Sequence, residues 1–296
     1  EMGMSGFGEI DYLTKLARPH YAIITNIGEA HMQDLGSREG IAQAKFEIVQ
    51  GLEPGGILFF DGDEPLLQQL VAKNESLQTQ SFGFTKEQDL IASAITTSEV
   101  GSHFRSEGLI AGDFFISVLG EHQVKNTLNA MLVSKALGLS DEQIRKALKQ
   151  VTLTDMRMQL ITVGDKLFIN DAYNAAPTSM HAAIHFIQQT AIRDEKWLVL
   201  GDMLELGQDE QRYHEELVDI IDPGKTAYVC LFGPRMEWLY EKLQSVFDEQ
   251  HLIYTEADYA VIIEKIKQNA TAQSIILVKG SRGMQLENII KGVELA

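Results

Sequence analysis

Trp197-Leu198-Val199-Leu200-Gly201-Asp202-Met203-Leu204-Glu205-Leu206-Gly207 runs from four apolar residues straight into a polar loop bounded by glycines. The apolar run has the length and composition of a buried strand, and residues 209–221 that follow have helical spacing. Residues 227–232 are apolar again. Strand, loop, amphipathic helix and strand in that order are the unit of a mostly parallel α/β sheet. The alternation continues outward, with strands predicted at 160–163, 167–170, 252–254 and 275–278. Helices are predicted between them, at 179–190, 235–246, 257–268 and 285–293.

The first half starts the same way. Residues 21–25 and 56–60 are predicted strands, the second ended by Asp61-Gly62-Asp63. Between them lies a helix over 37–50, with Ser37 as N-cap, Ile41, Ala44 and Ile48 on one face, and Gly51 at its end. Residues 64–73 form the next helix. From 79 to 118 the chemistry changes: runs at 90–97 and 113–118 are separated by Gly101, Gly108 and Gly112, which predicts an antiparallel patch on a parallel core. Helical spacing returns over 122–137, stops at Gly138 and resumes after Ser140 over 141–149. A boundary near 151–158 divides the 296 residues into domains over 1–154 and 155–296, each long enough to bury its own core.

With 25 Lys+Arg against 42 Asp+Glu, the net charge is −17, which argues against wrapping nucleic acid or lying on an anionic membrane. A local nest of amides with one or two cations can still hold a phosphate. The single cysteine, Cys230, rules out a disulfide framework within one chain and favours a reducing compartment. No apolar run approaches a membrane span, and the opening residues lack the basic start and apolar core of a secretion signal. A cytoplasmic protein is expected.

Several motifs read as ordinary structure. Gly224-Lys225-Thr226 looks like the tail of a phosphate loop, but a helix precedes it and a strand follows, so Gly224 is read as a helix C-cap. The glycines at 3, 6 and 8 have the wrong spacing for a dinucleotide loop. His181 and His185 sit four apart on a predicted helix, yet no third metal ligand accompanies them.

Four other segments suggest chemistry. Thr25-Asn26-Ile27-Gly28-Glu29-Ala30-His31 follows a buried strand, where loops of open α/β sheets meet ligands. Lys45 lies one helix later, where it can enter the same crevice. Asn170-Asp171-Ala172-Tyr173-Asn174-Ala175-Ala176-Pro177, the 201–207 loop and Lys279-Gly280-Ser281-Arg282-Gly283 are three polar loops predicted at one end of the second sheet. Together they describe a ligand-binding edge; the competing reading is a solvated lysine and ordinary strand-to-helix turns.

These segments, taken in order over the whole chain, resemble the Mur ligases. The carrying residues are Glu1-Met2-Gly3 with Gly8-Glu9-Ile10, Thr25-Asn26-Ile27 with Ala30-His31, Ala44-Lys45, and Asn126 after Gly120-Glu121-His122. Met156-Arg157-Met158, the 171–177 segment, the 201–207 loop and Lys279 to Arg282 complete them. The resemblance is to the branch that joins D-alanyl-D-alanine to the UDP-N-acetylmuramoyl-tripeptide in peptidoglycan precursor synthesis. It implies the later part of a central ATPase domain, a parallel sheet with an antiparallel patch, followed by a Rossmann-like C-terminal α/β domain. In family order the chain begins after the domain that grips the UDP-sugar and after the ATP phosphate loop, so this chain by itself is expected to be inactive. Ala176 and Asp155-Met156 depart from the commoner family residues.

The resemblance also implies a reaction: ATP phosphorylates the peptide carboxylate, and the dipeptide amine attacks the acyl phosphate. It places Glu1, His31 and Lys45 on Mg²⁺, with Lys45 as a carbamate and with His31 and Lys45 at the catalytic centre. Asn126 is expected at the adenine, Arg157 at phosphate and Asp171 at the ribose, with Tyr173, Asn174, Lys279 and Arg282 at the dipeptide and acyl phosphate. No nucleic acid or membrane partner is expected, and the enzyme is expected to be a monomer. The alternatives are a folate- or cyanophycin-type amide ligase of the same superfamily, disfavoured by residues 173–177, or a non-catalytic ligand-binding fragment.

Overall fold

The computed structural model describes residues 1–29, 32–98, 100–151 and 156–295. They form two compact units, Glu1–Val151 and Thr152–Ala296.

The first unit is built on a six-stranded sheet in sequential order. β1 (Tyr21–Ile24), β2 (Ile57–Asp61) and β3 (Gln78–Gly83) are parallel. β4 (Leu90–Ser98) joins β3 in parallel through two residue pairs, and β5 (Gly101–Gly108) and β6 (Gly112–Ile116) continue antiparallel. The antiparallel patch is therefore present, and β5 runs between the glycines that punctuate it in the sequence. β4 carries a bulge between Ser93 and Thr96, with Ala94 at a φ of 50°.

One face of this sheet packs on α1 (Glu9–Ala17), α2 (Met32–Leu35), α3 (Arg38–Phe46) and α4 (Pro65–Ala72). Ala22, Ile24, Leu58 and Phe60 meet Ile10, Leu35, Ile41, Ala44 and Leu67 there. Strand alternation turns Phe59 to the opposite face, where α5 (Glu121–Ala136) packs on β2, β3 and β4. Ser140 and Gln143 form a capping box on α6 (Asp141–Leu148).

The helix expected over 37–50 is α-helical only to Phe46 and tightens to a 3₁₀ turn over Glu47–Gly51. The reason is tertiary. Glu47 turns its carboxylate onto the start of α1, accepting from the Gly8 and Asp11 amides at 2.9 and 3.2 Å. Ser37 caps α3 as expected, accepting from the Gly40 amide at 3.1 Å.

The second unit is a six-stranded sheet in the order β11-β10-β9-β12-β8-β7. Its strands are β7 (Gln159–Val163), β8 (Lys166–Asp171), β9 (Glu195–Gly201), β10 (Tyr228–Phe232), β11 (Leu252–Thr255) and β12 (Ser274–Lys279). All are parallel except β7, which pairs antiparallel with β8 at the edge. β12 is buried at every residue, as a central parallel strand covered on both faces must be. Phe168, Trp197, Val199, Cys230, Ile276 and Val278 face α10 (Tyr259–Asn269) and α11 (Glu287–Glu294). α7 (Pro177–Gln189) packs on β9 and β12, and α9 (Met236–Leu243) on β10.

The helix expected over 209–221 is divided: α8 (Glu210–Glu215) gives way to a 3₁₀ turn over Glu216–Ile220. Gly224 is not a helix C-cap. It lies in a turn after that segment, its amide donating to Asp222 Oδ1 at 2.8 Å. His181 and His185 are both exposed on α7. Among the described residues no helix is long and apolar enough to cross a membrane.

Candidate functional site

In the first unit, of the residues singled out, Lys45 meets the loop where β1 leaves the sheet. Lys45, in the last turn of α3, reaches back to the strand-end loop and donates to the Asn26 carbonyl at 3.0 Å. Burial of the ammonium pushes the Lys45 amine below the ordinary lysine range. Glu1 is exposed, and His31 lies outside the described residues. Asn126 is exposed on α5.

Two arrangements here escaped sequence reading. Arg38 donates to the Ile27 carbonyl at 2.9 Å and to Glu64 at 2.7 Å, bracing the loop against the start of α4. Lys125, next to Asn126, lies 3.0 Å from Asp61 and 2.9 Å from Asp63. Asp63 in turn accepts from the Phe84 amide at 2.8 Å and the Thr85 hydroxyl at 2.7 Å. Asp61-Gly62-Asp63 reads in sequence as a strand-ending turn; nothing local names Lys125, 64 residues away, as its partner.

In the second unit, β8, β9 and β12 are adjacent and parallel, so the loops after them share one end of the sheet. Gly201 and Gly280, at the ends of β9 and β12, leave room for the Leu286 side chain. A Cβ on Gly280 would lie 2.7 Å from Leu286 Cδ1, and one on Gly201 2.8 Å from the same atom. Lys279 is 2% exposed and donates to Asp171 Oδ2 at 2.6 Å and to the Asn174 carbonyl at 3.1 Å. Asp171 Oδ1 accepts from the Met158 amide at 3.0 Å. Arg157 lies between Met156 and Met158, both at positive φ, and its guanidinium stacks 4.3 Å from the Tyr173 ring centroid. Tyr173 is 46% exposed. Arg282 pairs with Glu287 at 2.7 Å, in the first turn of α11.

The edge therefore carries an exposed stacked Arg157–Tyr173 pair and the surface guanidinium of Arg282, underpinned by the buried Lys279–Asp171 pair. Cations and an aromatic face at the carboxyl ends of parallel strands suit an anionic ligand. Among the described residues no three His, Cys, Asp or Glu side chains gather to hold a metal ion.

Both units have counterparts among known proteins. Residues 1–134 match the Mur ligase middle domain, and residues 156–282 the Mur ligase, glutamate ligase domain. The chain is 44% identical over 98% of its length to the UDP-N-acetylmuramoyl-tripeptide--D-alanyl-D-alanine ligase of Bacillus subtilis (strain 168), covering 63% of that protein. It superposes on a crystal structure of MurF from Acinetobacter baumannii with a TM-score of 0.87 at 28% identity, over 99% of this chain and 64% of the other. The fold is shared with MurF ligase from Thermotoga maritima in complex with ADP, with a TM-score of 0.88 at 24% identity, over 100% of this chain and 66% of that one. The chain thus spans less than two thirds of the length of the curated relatives it matches first. With the middle domain in its first unit and the C-terminal domain in its second, the chain belongs to the Mur ligase family.

Proposed function

We propose that this chain serves a MurF-type ligase, which spends ATP to join D-alanyl-D-alanine to the UDP-N-acetylmuramoyl-tripeptide through an acyl phosphate. The observation that carries the reading is the 44% identity that runs through 98% of the chain, across both units. The polar edge of the second sheet supports it, since a peptide acyl phosphate and a dipeptide carboxylate are both anions.

The donor set bears on the metal. A hard cation takes oxygen ligands, and the Lys45 amine is a donor. Carbamate formation would convert it to a carboxylate-like ligand, and needs the neutral amine that burial favours. On that condition Glu1, His31 and carbamylated Lys45 are the residues that would hold Mg²⁺. Bound there, the cation would neutralise charge on the transferring phosphoryl group.

The chain's own residues divide the remaining work. Asn126, exposed beside the Lys125 ion cluster, meets the adenine. Arg157, held over Tyr173, meets phosphate. A carboxylate offers about four acceptor sites, so Asp171 takes a ribose hydroxyl alongside Lys279. Tyr173, Asn174 and Arg282 orient the dipeptide and acyl phosphate, and Lys279, buried under them, sets their positions.

The test is phosphate release by the protein as its gene encodes it, with ATP, Mg²⁺ and the UDP-tripeptide. D-alanyl-D-alanine should stimulate release and glutamate should not. Release that instead requires a folate in place of the UDP-tripeptide and is stimulated by glutamate would replace this reading with a folate-type ligase.

A further inference from the structure

The 201–207 loop is pinned by groups that lie outside it. His214, on α8, accepts the Met203 amide at Nε2 over 3.0 Å. Its Nδ1 lies 2.6 Å from the Glu210 carbonyl, which can only accept. The ring is thereby committed to the neutral form with its proton on Nδ1, since a second proton at Nε2 would confront the Met203 N–H. Ser281 takes the next amide, with Leu204 N 2.9 Å from its hydroxyl, and its own amide donates to the Asp202 carbonyl at 3.0 Å.

The base of the loop is equally fixed. Asp202 is fully buried, and its Oδ1 accepts from the Arg235 and Met236 amides, each at 3.1 Å. Gly233, at a φ of 113°, makes room for it; a Cβ there would stand 2.4 Å from Asp202 Oδ1. Arg235 reaches Glu210 at 2.6 Å, tying α8 to the start of α9. At the crown, Glu205 is exposed with a φ of 64°, a left-handed conformation for a residue with a side chain. Such a turn persists where surrounding contacts over-determine it, and it occurs disproportionately at functional sites.

We propose that His214 is a positioning residue of the dipeptide-binding edge: its neutral ring, with Ser281, holds the left-handed turn that presents the Glu205 carboxylate to the ammonium group of the dipeptide. The proposal rests on the ligase reading above. His214 is fully buried and edge-on to Trp238, with ring centroids 5.8 Å apart. Burial pushes its pKa below the usual imidazole value; Asp202 and Glu210 pull it up and Arg235 pushes it down. A depressed imidazole contributes its hold fully above about pH 6.5 and loses it as the pH falls from there.

Hydrogen exchange across 201–206, corrected for the intrinsic pH dependence, tests the hold in the 296-residue chain. Protection should drop about tenfold in His214→Leu and be retained in His214→Gln, whose amide oxygen can accept the same N–H. In the unaltered chain protection should drop between about pH 7.5 and about pH 5, a drop absent from His214→Gln. Unchanged protection in His214→Leu, or a flat pH series in the unaltered chain, would overturn the proposal. Should His214→Leu not fold, the pH series on the unaltered chain and His214→Gln decides alone. In the ligase assay, His214→Leu and Glu205→Gln should each raise the KM for D-alanyl-D-alanine about tenfold with kcat little changed, and the pair should not be additive. Ligase activity with an unaltered KM in both would overturn the presentation of Glu205. No ligase activity in the unaltered protein would remove the ligase reading and with it the role given to Glu205, and the exchange data would still decide the hold.

Discussion

Lys279 and Asp171 are register partners, the last residues of the parallel neighbours β12 and β8, and their side chains meet at 2.6 Å beneath the polar edge of the second sheet. Lys279 has almost no contact with water, so the pair is a strut on which the 171–177 loop is mounted, through Asp171 on one side and the Asn174 carbonyl on the other.

Removing either partner leaves a buried, uncompensated charge. Lys279→Met and Asp171→Asn should each cost the second unit about 3 kcal/mol or more. The double variant should lose less than the sum, since neither charge is then stranded. Urea denaturation followed by the fluorescence of Trp197 and Trp238, both in the second unit, measures this; additive losses would mean that the pair does not act as a unit.

Lys125 plays a comparable part in the first unit, holding two carboxylates. Burial raises Asp61, against the pull of Lys125. Burial also acts to raise Asp63, but hydrogen bonds from Thr85, Phe84 and Lys125 outweigh it and hold Asp63 below the ordinary range. A depressed carboxylate contributes stability that is present above its unfolded pKa and lost as pH falls through the folded one. Lys125→Met should therefore destabilise the unit by about 3 kcal/mol at neutral pH, and by less near pH 4, where Asp61 can take a proton. Denaturation midpoints at the two pH values check the sign.

Lys45→Ala should abolish ligase turnover while leaving the fold intact, because the half-buried amine is bonded only to the Asn26 carbonyl among the described hydrogen bonds. Lys45→Arg should be equally inactive, since a guanidinium does not form the carbamate. Short carboxylates or added bicarbonate should restore part of the activity of Lys45→Ala. Near-normal rates in Lys45→Ala would leave Lys45 a structural residue with no part in the reaction.

Arg157 is exposed and stacked on Tyr173, an arrangement worth about 0.5–1 kcal/mol at such a site. Arg157→Ala should leave the thermal midpoint nearly unchanged and lower ligase activity by about tenfold to a hundredfold, as loss of one charge-assisted phosphate contact would. An equal loss in Arg157→Lys would show that the planar guanidinium, and not charge alone, is needed.

Much of the architecture was legible from one dimension. The apolar runs at β8, β9, β10 and β12, the amphipathic helices between them and the Ser37 and Ser140 caps are local patterns, because burial on a strand or helix face repeats with the period of the backbone. Parallel order then sends the 171–177, 201–207 and 279–283 loops to one end of the sheet, so the place of the candidate edge follows from the strand pattern alone. Motif order over the chain pointed to the Mur ligase family for the same reason: the signatures are short contiguous segments.

What only the tertiary structure decided are the pairings between segments distant in the chain. Lys279 reads in sequence as a ligand-facing lysine, yet the register of β12 on β8 buries it against Asp171. His214 reads as one more helix residue until the fold sets its ring under Met203. Lys125 lies beside a residue marked for binding, and its two carboxylates come from a turn more than sixty residues earlier. Helical and strand periods record which face of an element is apolar, and a lone polar residue on such a face carries no mark of its partner. That partner is chosen when the sheet closes and desolvation leaves each buried charge or lone pair only the groups that the register brings within reach.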